Sequence, residues 1–238
     1  MKRFYKQVAV APGQGGFTIA LDGRPIQSPA RQVLTLPTSA LAQAVAAEWQ
    51  AQGDRLDIPS MTLTRLSNQA QDRIAADPGA VVAQLCGYAA TDLLCYRAES
   101  PASLVERQAA HWDPLLDWAA THYGVRLPVT MGVMPLPPSP DATAIFQQRL
   151  AAEDAFRLTG LAEVVAAAGS LVIGLAVLEN RLDAGAAWAA ASVDEIYQAE
   201  RWGPDVEAQA MLQTRQAILE AGARLLALVL PLAKSPPR

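Results

Sequence analysis

The sequence predicts an α+β fold: an N-terminal antiparallel β-rich α+β domain over residues 1–96, then an all-helical C-terminal domain over residues 97–238. Three observations carry that expectation. Short aromatic and β-branched runs alternate with tight-turn signals through the first third of the chain. The second half is rich in alanine, the best helix former, with apolar residues at helical spacing. The composition, 51% hydrophobic and 18% charged over 238 residues, supports a packed core and argues against disorder.

Phe4–Val10 mixes aromatic, β-branched and polar residues and suits a strand. Pro12-Gly13-Gln14-Gly15-Gly16 reads as a turn, with Phe17–Leu21 as the returning strand. Asp22-Gly23 marks a second tight turn, and Pro25–Ser28 and Val33–Leu36 are further extended pieces. At Pro37-Thr38-Ser39 the period becomes helical. Thr38 or Ser39 can cap a helix from about Ala40 to Gln52, whose apolar side (Leu41, Val45, Trp49) ends beside Glu48. Asp54–Pro59 is a loop, and Leu63, Leu66, Ala70 and Ile74 then recur at helical spacing. Asp77-Pro78 starts a helix reaching Ala89, with proline at its first position. Thr91–Arg97 fits either a buried strand or a helical turn.

Ser100-Pro101 opens a long helix that ends near Tyr123-Gly124, where glycine suits the left-handed terminal position. Pro114 is expected to kink or split it. Val125–Val133 is extended, and Pro135, Pro137, Pro138 and Pro140 form a stiff connector. Four helices are expected beyond it: Ala142–Phe156, Gly160–Glu179, Ala184–Trp202 and Val206–Leu230. Thr159 is placed to cap the second, and Trp202-Gly203-Pro204 to end the third.

The net charge is −4 and no Lys/Arg cluster of the phosphate-neutralising kind occurs, so nucleic acid is not an expected partner. Cys86 and Cys95 match neither a CxxC motif nor a four-ligand set. On one continuous helix they would lie about 13 Å apart, too far for a disulfide, so two buried thiols in a reducing compartment are expected. The apolar stretch Leu161–Leu178 contains Glu163, and Ile218–Ala233 contains Glu220, Arg224 and Pro231. Both read as buried bundle helices, and no membrane insertion is expected. No apolar signal core or Arg/Ser-rich transit segment precedes Phe4-Tyr5. The expected location is the bacterial cytoplasm, or the mitochondrial matrix for a mature eukaryotic form.

Few residues suggest catalysis. Gly13-Gln14-Gly15-Gly16 resembles a phosphate loop, but a strand follows it where a phosphate cradle needs a helix N-terminus. His111 and His122 are the only histidines, and His111 and Asp113 do not form a preorganised pair on one helix. No metal or other cofactor is expected. Asp92, Asp113, Asp117, Asp194 and Glu195 could supply an acid–base pair if the fold converged them, which keeps a small carboxylate-dependent hydrolase or lyase as the alternative function. Asp194–Gly203 is the most distinctive segment. On a helix Asp194, Tyr197, Gln198 and Arg201 share one side that is acidic, aromatic and basic at once. It reads either as an ordinary wet face or as a docking surface, since Tyr, Trp and Arg favour interfaces.

A set of segments in order resembles one family. They are Arg3-Phe4-Tyr5-Lys6, Gly16-Phe17, Leu21-Asp22-Gly23-Arg24, Leu36-Pro37-Thr38 through Glu48-Trp49, and Met61 to Leu66. Thr91 to Arg97, Arg107-Gln108, Trp112 to Leu116, Ser170-Leu171, and Asp194 to Gly203 with Asp205 continue the series. Together they are similar to the assembly chaperones for the alpha subunit of the F-type ATP synthase catalytic head. The resemblance covers nearly the whole chain and implies an N-terminal α+β domain and a C-terminal helical domain. It also implies a non-enzymatic function: binding the free alpha subunit until the beta subunit takes its place. Such a chaperone is expected to be monomeric when free. The family's critical acidic position maps by offset to Asp194, with Glu195 as its neighbour; glutamate is usual there, so aspartate departs mildly from the pattern. The partner-binding residues expected on this basis are Asp194, Glu195, Tyr197, Gln198, Arg201 and Trp202. The acids would steer or pair with basic groups, and Tyr197 and Trp202 would give apolar contact or hold the helix, with Trp202 fitting a core position as well. Charge reversal at Asp194 is expected to weaken binding with little effect on folding.

Overall fold

A computed structural model describes residues 1–131 and 138–229. Pro135 and Pro137 of the expected connector, Val133 at the end of the expected extended run, and Leu230 and Pro231 lie outside the described residues. The chain forms two compact units, each drawing on segments from both sides of residue 96. Of the described residues, one comprises Met1–Pro78, Asp154–Gly160 and residues 224–229; the other comprises residues 79–131 and 138–153 with Leu161–Ala223.

In the first unit, strands β1 (Val8–Gly13), β2 (Gly16–Leu21) and β3 (Arg24–Pro25) form an antiparallel sheet in that order, with Val8 opposite Leu21 and Gly13 opposite Gly16. The glycine-rich segment is therefore a hairpin turn, with Gly15 at φ +83°. Gly16 is glycine for a steric reason: a Cβ there would press into the Leu36 carbonyl oxygen. Phe17 and Leu36 exchange backbone hydrogen bonds at 2.8 and 2.7 Å, so the expected strand Val33–Leu36 is reduced to isolated bridges. Helix α1 (Ser39–Gln50) packs on β1 and β2, burying Leu41, Ala42 and Val45, and the Thr38 hydroxyl accepts from Leu41 N–H at its start. Glu48 accepts from the N–H groups of Leu63 and Thr64 and from the Thr64 hydroxyl, at 2.7–2.8 Å. It thus caps α2 (Thr62–Gln69) from a neighbouring helix, which explains a carboxylate at the end of an apolar face. A π-helical turn, Ala70–Ile74, continues α2.

In the second unit, α3 (Pro78–Gly87) runs into a 3₁₀ turn at Tyr88–Ala90. Thr91–Arg97 contains both of the forms that its sequence allowed: a 3₁₀ turn at Leu93–Cys95, then β4 (Tyr96–Arg97), which pairs in parallel with β5 (Thr130–Met131). Cys86 and Cys95 are both free thiols, but only Cys95 is buried; Cys86 is half-buried, which corrects the expectation of two buried thiols. Helix α4 (Ala102–Tyr123) runs through Pro114 as one element and ends at Gly124 with φ +68°. It is the spine of the unit: α7 (Leu171–Leu178), α8 (Ala184–Ala191) and α9 (Val193–Trp202) pack against it. Trp112 on α4 is fully buried and donates its indole N–H to the Ala190 carbonyl at 2.8 Å.

The remaining helices differ from the expected four. Pro140 begins α5 (Pro140–Ala151) and does not extend the connector, because Ser139 caps the helix at Ala142 N–H. Helix α6 (Ala155–Ala168) starts earlier than expected, where Asp154 accepts from the N–H groups of Phe156 and Arg157. Thr159 therefore lies inside α6 and donates to the Ala155 carbonyl at 2.7 Å, so it is not a cap. The expected helix Gly160–Glu179 breaks at Gly169, with φ +69°, after which Ser170 caps α7 by accepting from Ile173 N–H. The expected helix Ala184–Trp202 divides at Ser192 into α8 and α9. Helix α10 (Val206–Val229) is the last described element. Among the described residues no helix is long and apolar enough to cross a membrane.

A candidate docking surface on helix α9

Helix α9 carries Asp194 and Glu195 in its first turn and Arg201 in its last, the arrangement that the helix dipole favours. It ends at Gly203, whose φ of +86° turns the chain into α10. Asp205 then starts α10 by accepting from Ala208 N–H at 2.7 Å.

The six expected site residues divide between two sides of α9. Asp194 and Tyr197 face α4. Gln108 on α4, only 2% exposed, donates its amide to Asp194 at 2.7 Å and accepts from Ala98 N–H at 2.9 Å. Tyr197, 7% exposed, shares a 2.8 Å hydrogen bond with the Ser103 hydroxyl, and the Arg107 guanidinium lies 5.4 Å from its ring centre. Arg107 also pairs with Glu200 at 2.8 Å. That bond raises the pKa of Arg107 and lowers that of Glu200. These contacts fasten α9 to α4.

Glu195, Gln198 and Trp202 lie on the other side, with Ala199, and form one wall of a groove of about 390 Å³. Asp205, Ala208, Met211, Leu212 and Arg215, at the start of α10, complete it. Gln198 therefore does not share the Asp194 side, as the spacing had suggested; it faces the groove. Trp202 is 74% exposed, which overturns the core reading of that residue. Arg201 is exposed in the last turn. Arg215 forms an ion pair with Glu195, donates to the Ala167 carbonyl at 3.2 Å and lies 5.7 Å from the Trp188 ring centre. Sequence reasoning missed α10 as the second wall. The only local signal was Val206 and Met211 close behind Trp202, and spacing alone could not show that nothing covers them.

The other candidate residues lie elsewhere. Asp113 pairs with Arg97 at 2.7 Å and Asp117 with Arg126 at 3.3 Å, both on exposed parts of α4. His111 and His122 are exposed, and His122 stacks on Trp118. Asp92 is fully buried and accepts from Leu94 and Val172 N–H groups at 3.1 Å, so it joins the cap of α7. Burial pushes its pKa up to about 6, against hydrogen bonds from Ser170, Val172, Leu94 and Leu171 that pull it down. Among the described residues no three His, Cys, Asp or Glu side chains gather as metal ligands.

Comparison with known proteins identifies this architecture. The ATP12 chaperone protein family matches residues 2–120. The crystal structure of Atp12 from Paracoccus denitrificans superposes with a TM-score of 0.92 at 44% identity, covering 96% of this chain and 98% of that one. A point mutant of the P. denitrificans Atp12p gives a TM-score of 0.92 at 43% identity, covering 96% of this chain and 97% of that one. Mitochondrial protein atp12 of Schizosaccharomyces pombe is 26% identical over an alignment 218 residues long that covers 85% of this chain and 74% of the relative. These matches define the class, an assembly chaperone of the ATP synthase. The chain belongs to the ATP12 chaperone family.

Proposed function

We propose that this chain binds the free alpha subunit of the F-type ATP synthase, holds it until the beta subunit takes its place, and acts by binding without catalysis. The observation that carries the reading is the end of α9, where the exposed Trp202 ring shares a groove with the carboxylates of Glu195 and Asp205. An unpartnered ring subunit exposes an apolar face that invites wrong association. A cover that must later leave needs a modest apolar contact with polar steering, and an aromatic anchor among carboxylates supplies both. Trp202, Gln198 and Glu195 make the contact. Arg201 flanks it, Asp194 adds negative charge, and Tyr197 with Asp194 holds α9 on α4. The chaperone is monomeric when free and works in the bacterial cytoplasm or the mitochondrial matrix; relatives from bacteria and from a mitochondrion support that placement.

The test is capture of purified alpha and beta subunits, separately and then together. Capture of alpha alone, lost on adding beta, is the expected outcome. Folded alpha that this chain does not retain would end the reading.

A further inference from the structure

We infer that the first turns of α10 are the second half of the docking surface, and that the groove they share with α9 receives a segment of the alpha subunit presenting a bulky apolar side chain beside a lysine or arginine. The inference rests on the proposed escort function. Val206 is 81% exposed and Met211 68% exposed, close in sequence to the exposed Trp202. Trp202 and Met211 both line the groove, so these two open apolar side chains share one site, unlike the single exposed residues normal on any surface, and Val206 stands open in the turn of chain between them. The groove volume of about 390 Å³ lies in the range of clefts that enclose a ligand group. Arg215 fixes the width of the groove, because its guanidinium is held at once by Glu195, the Ala167 carbonyl and the Trp188 face.

Charge selects the occupant. Residues 194–207 contain five carboxylates and one guanidinium, Arg201. Arg215 and Arg107 reach in to pair with Glu195 and Glu200, which leaves the elbow acidic. Among the described residues Asp205 and Glu207 have no cationic side-chain partner. A purely apolar occupant would strip water from the carboxylate of Asp205 without replacing it, whereas a lysine or arginine beside the apolar group compensates that loss. A second copy of this chain would set acidic elbow against acidic elbow.

The experiment uses the full chain and purified alpha subunit. Met211→Lys and Val206→Lys change exposed side chains, so both variants should melt within a few degrees of wild type, as a thermal scan will verify. Each is expected to weaken alpha binding about tenfold or more, the loss typical of a residue at an interface centre. A photoreactive benzophenone residue at position 211 should cross-link to alpha. The cross-linked peptide, sequenced by mass spectrometry, should carry a large apolar residue within a few positions of a lysine or arginine. Wild-type capture of alpha together with unchanged affinity of both variants would overturn the α10 inference alone, as would a cross-linked peptide without a basic residue. Failure of the wild-type chain to bind alpha would remove the proposed function and this inference with it.

Discussion

Tyr197 and Trp202 lie on the same helix, yet one is 7% and the other 74% exposed. Their substitutions should behave accordingly. Trp202→Ala removes a ring with little burial in the free chaperone, so stability should change by no more than about 0.5 kcal/mol. Capture of alpha should nevertheless fall clearly; a large drop in melting temperature would show that the ring supports the fold. Asp92 offers a second residue-scale test, read through pH. Its folded pKa is about 6 against an ordinary carboxyl value of 3.8, so the folded state binds the proton more tightly. The stabilising contribution is therefore complete below about pH 3.8 and is lost as pH rises through 6. It amounts to about 3 kcal/mol at most. Asp92→Asn cannot titrate, and its amide N–H groups meet the N–H donors that the carboxylate accepted. The variant should be less stable than wild type, by a margin that narrows between pH 4 and pH 6.5. A margin constant across that range in chemical denaturation would show that Asp92 does not titrate there.

At the scale of elements, what was legible in the sequence was local chemistry. The hairpin glycines, the Thr38 cap, the proline at the start of α3, and the ends of α4 and α9 at Gly124 and Gly203 all depend on neighbours within a few residues. Other features depend on contacts distant in sequence. Glu48 finds its use only because α2 starts beside it, and Asp92 because α7 starts 79 residues later at Leu171. The uninterrupted apolar run through Leu171–Leu178 hid the break at Gly169-Ser170, since a helix buried on every side has no periodic stripe. The candidate site was half legible. Helix α9 stood out by composition, but spacing could not tell its α4 side from its open side. The Gln108 bond changes the expectation for Asp194. Asp194→Asn keeps an oxygen for the Gln108 amide and should melt close to wild type, with alpha binding a few-fold weaker through lost charge. Asp194→Lys removes the acceptor from a nearly buried donor and should cost about 1–3 kcal/mol as well as binding. A lysine variant that melts like wild type in a thermal scan would refute the anchoring role.

For the whole molecule, the balance between apolar contact and charge decides whether the partner can leave. A permanent subunit would cover its neighbour with a large apolar seal; here the open apolar side chains at the α9–α10 elbow are few, and two of them, Trp202 and Met211, share the groove with carboxylates. Steering by those carboxylates acts over a Debye length, about 10 Å at 0.1 M salt and about 3 Å at 1 M. Raising sodium chloride from 0.05 to 0.5 M should therefore slow association with alpha several-fold. If Trp202 makes the apolar contact proposed for it, the dissociation rate should change less. Surface plasmon resonance with immobilised chaperone separates the two rates. The chain as a whole is acidic, at −4, so a general charge effect would also slow association. The double variant Asp205→Asn with Glu207→Gln resolves this, because it neutralises two elbow carboxylates and leaves every carboxylate of the first unit in place. Its association rate should lose most of its dependence on salt. If the dependence persists undiminished, the steering charge lies elsewhere on the molecule and α9 is not the face that meets the partner first.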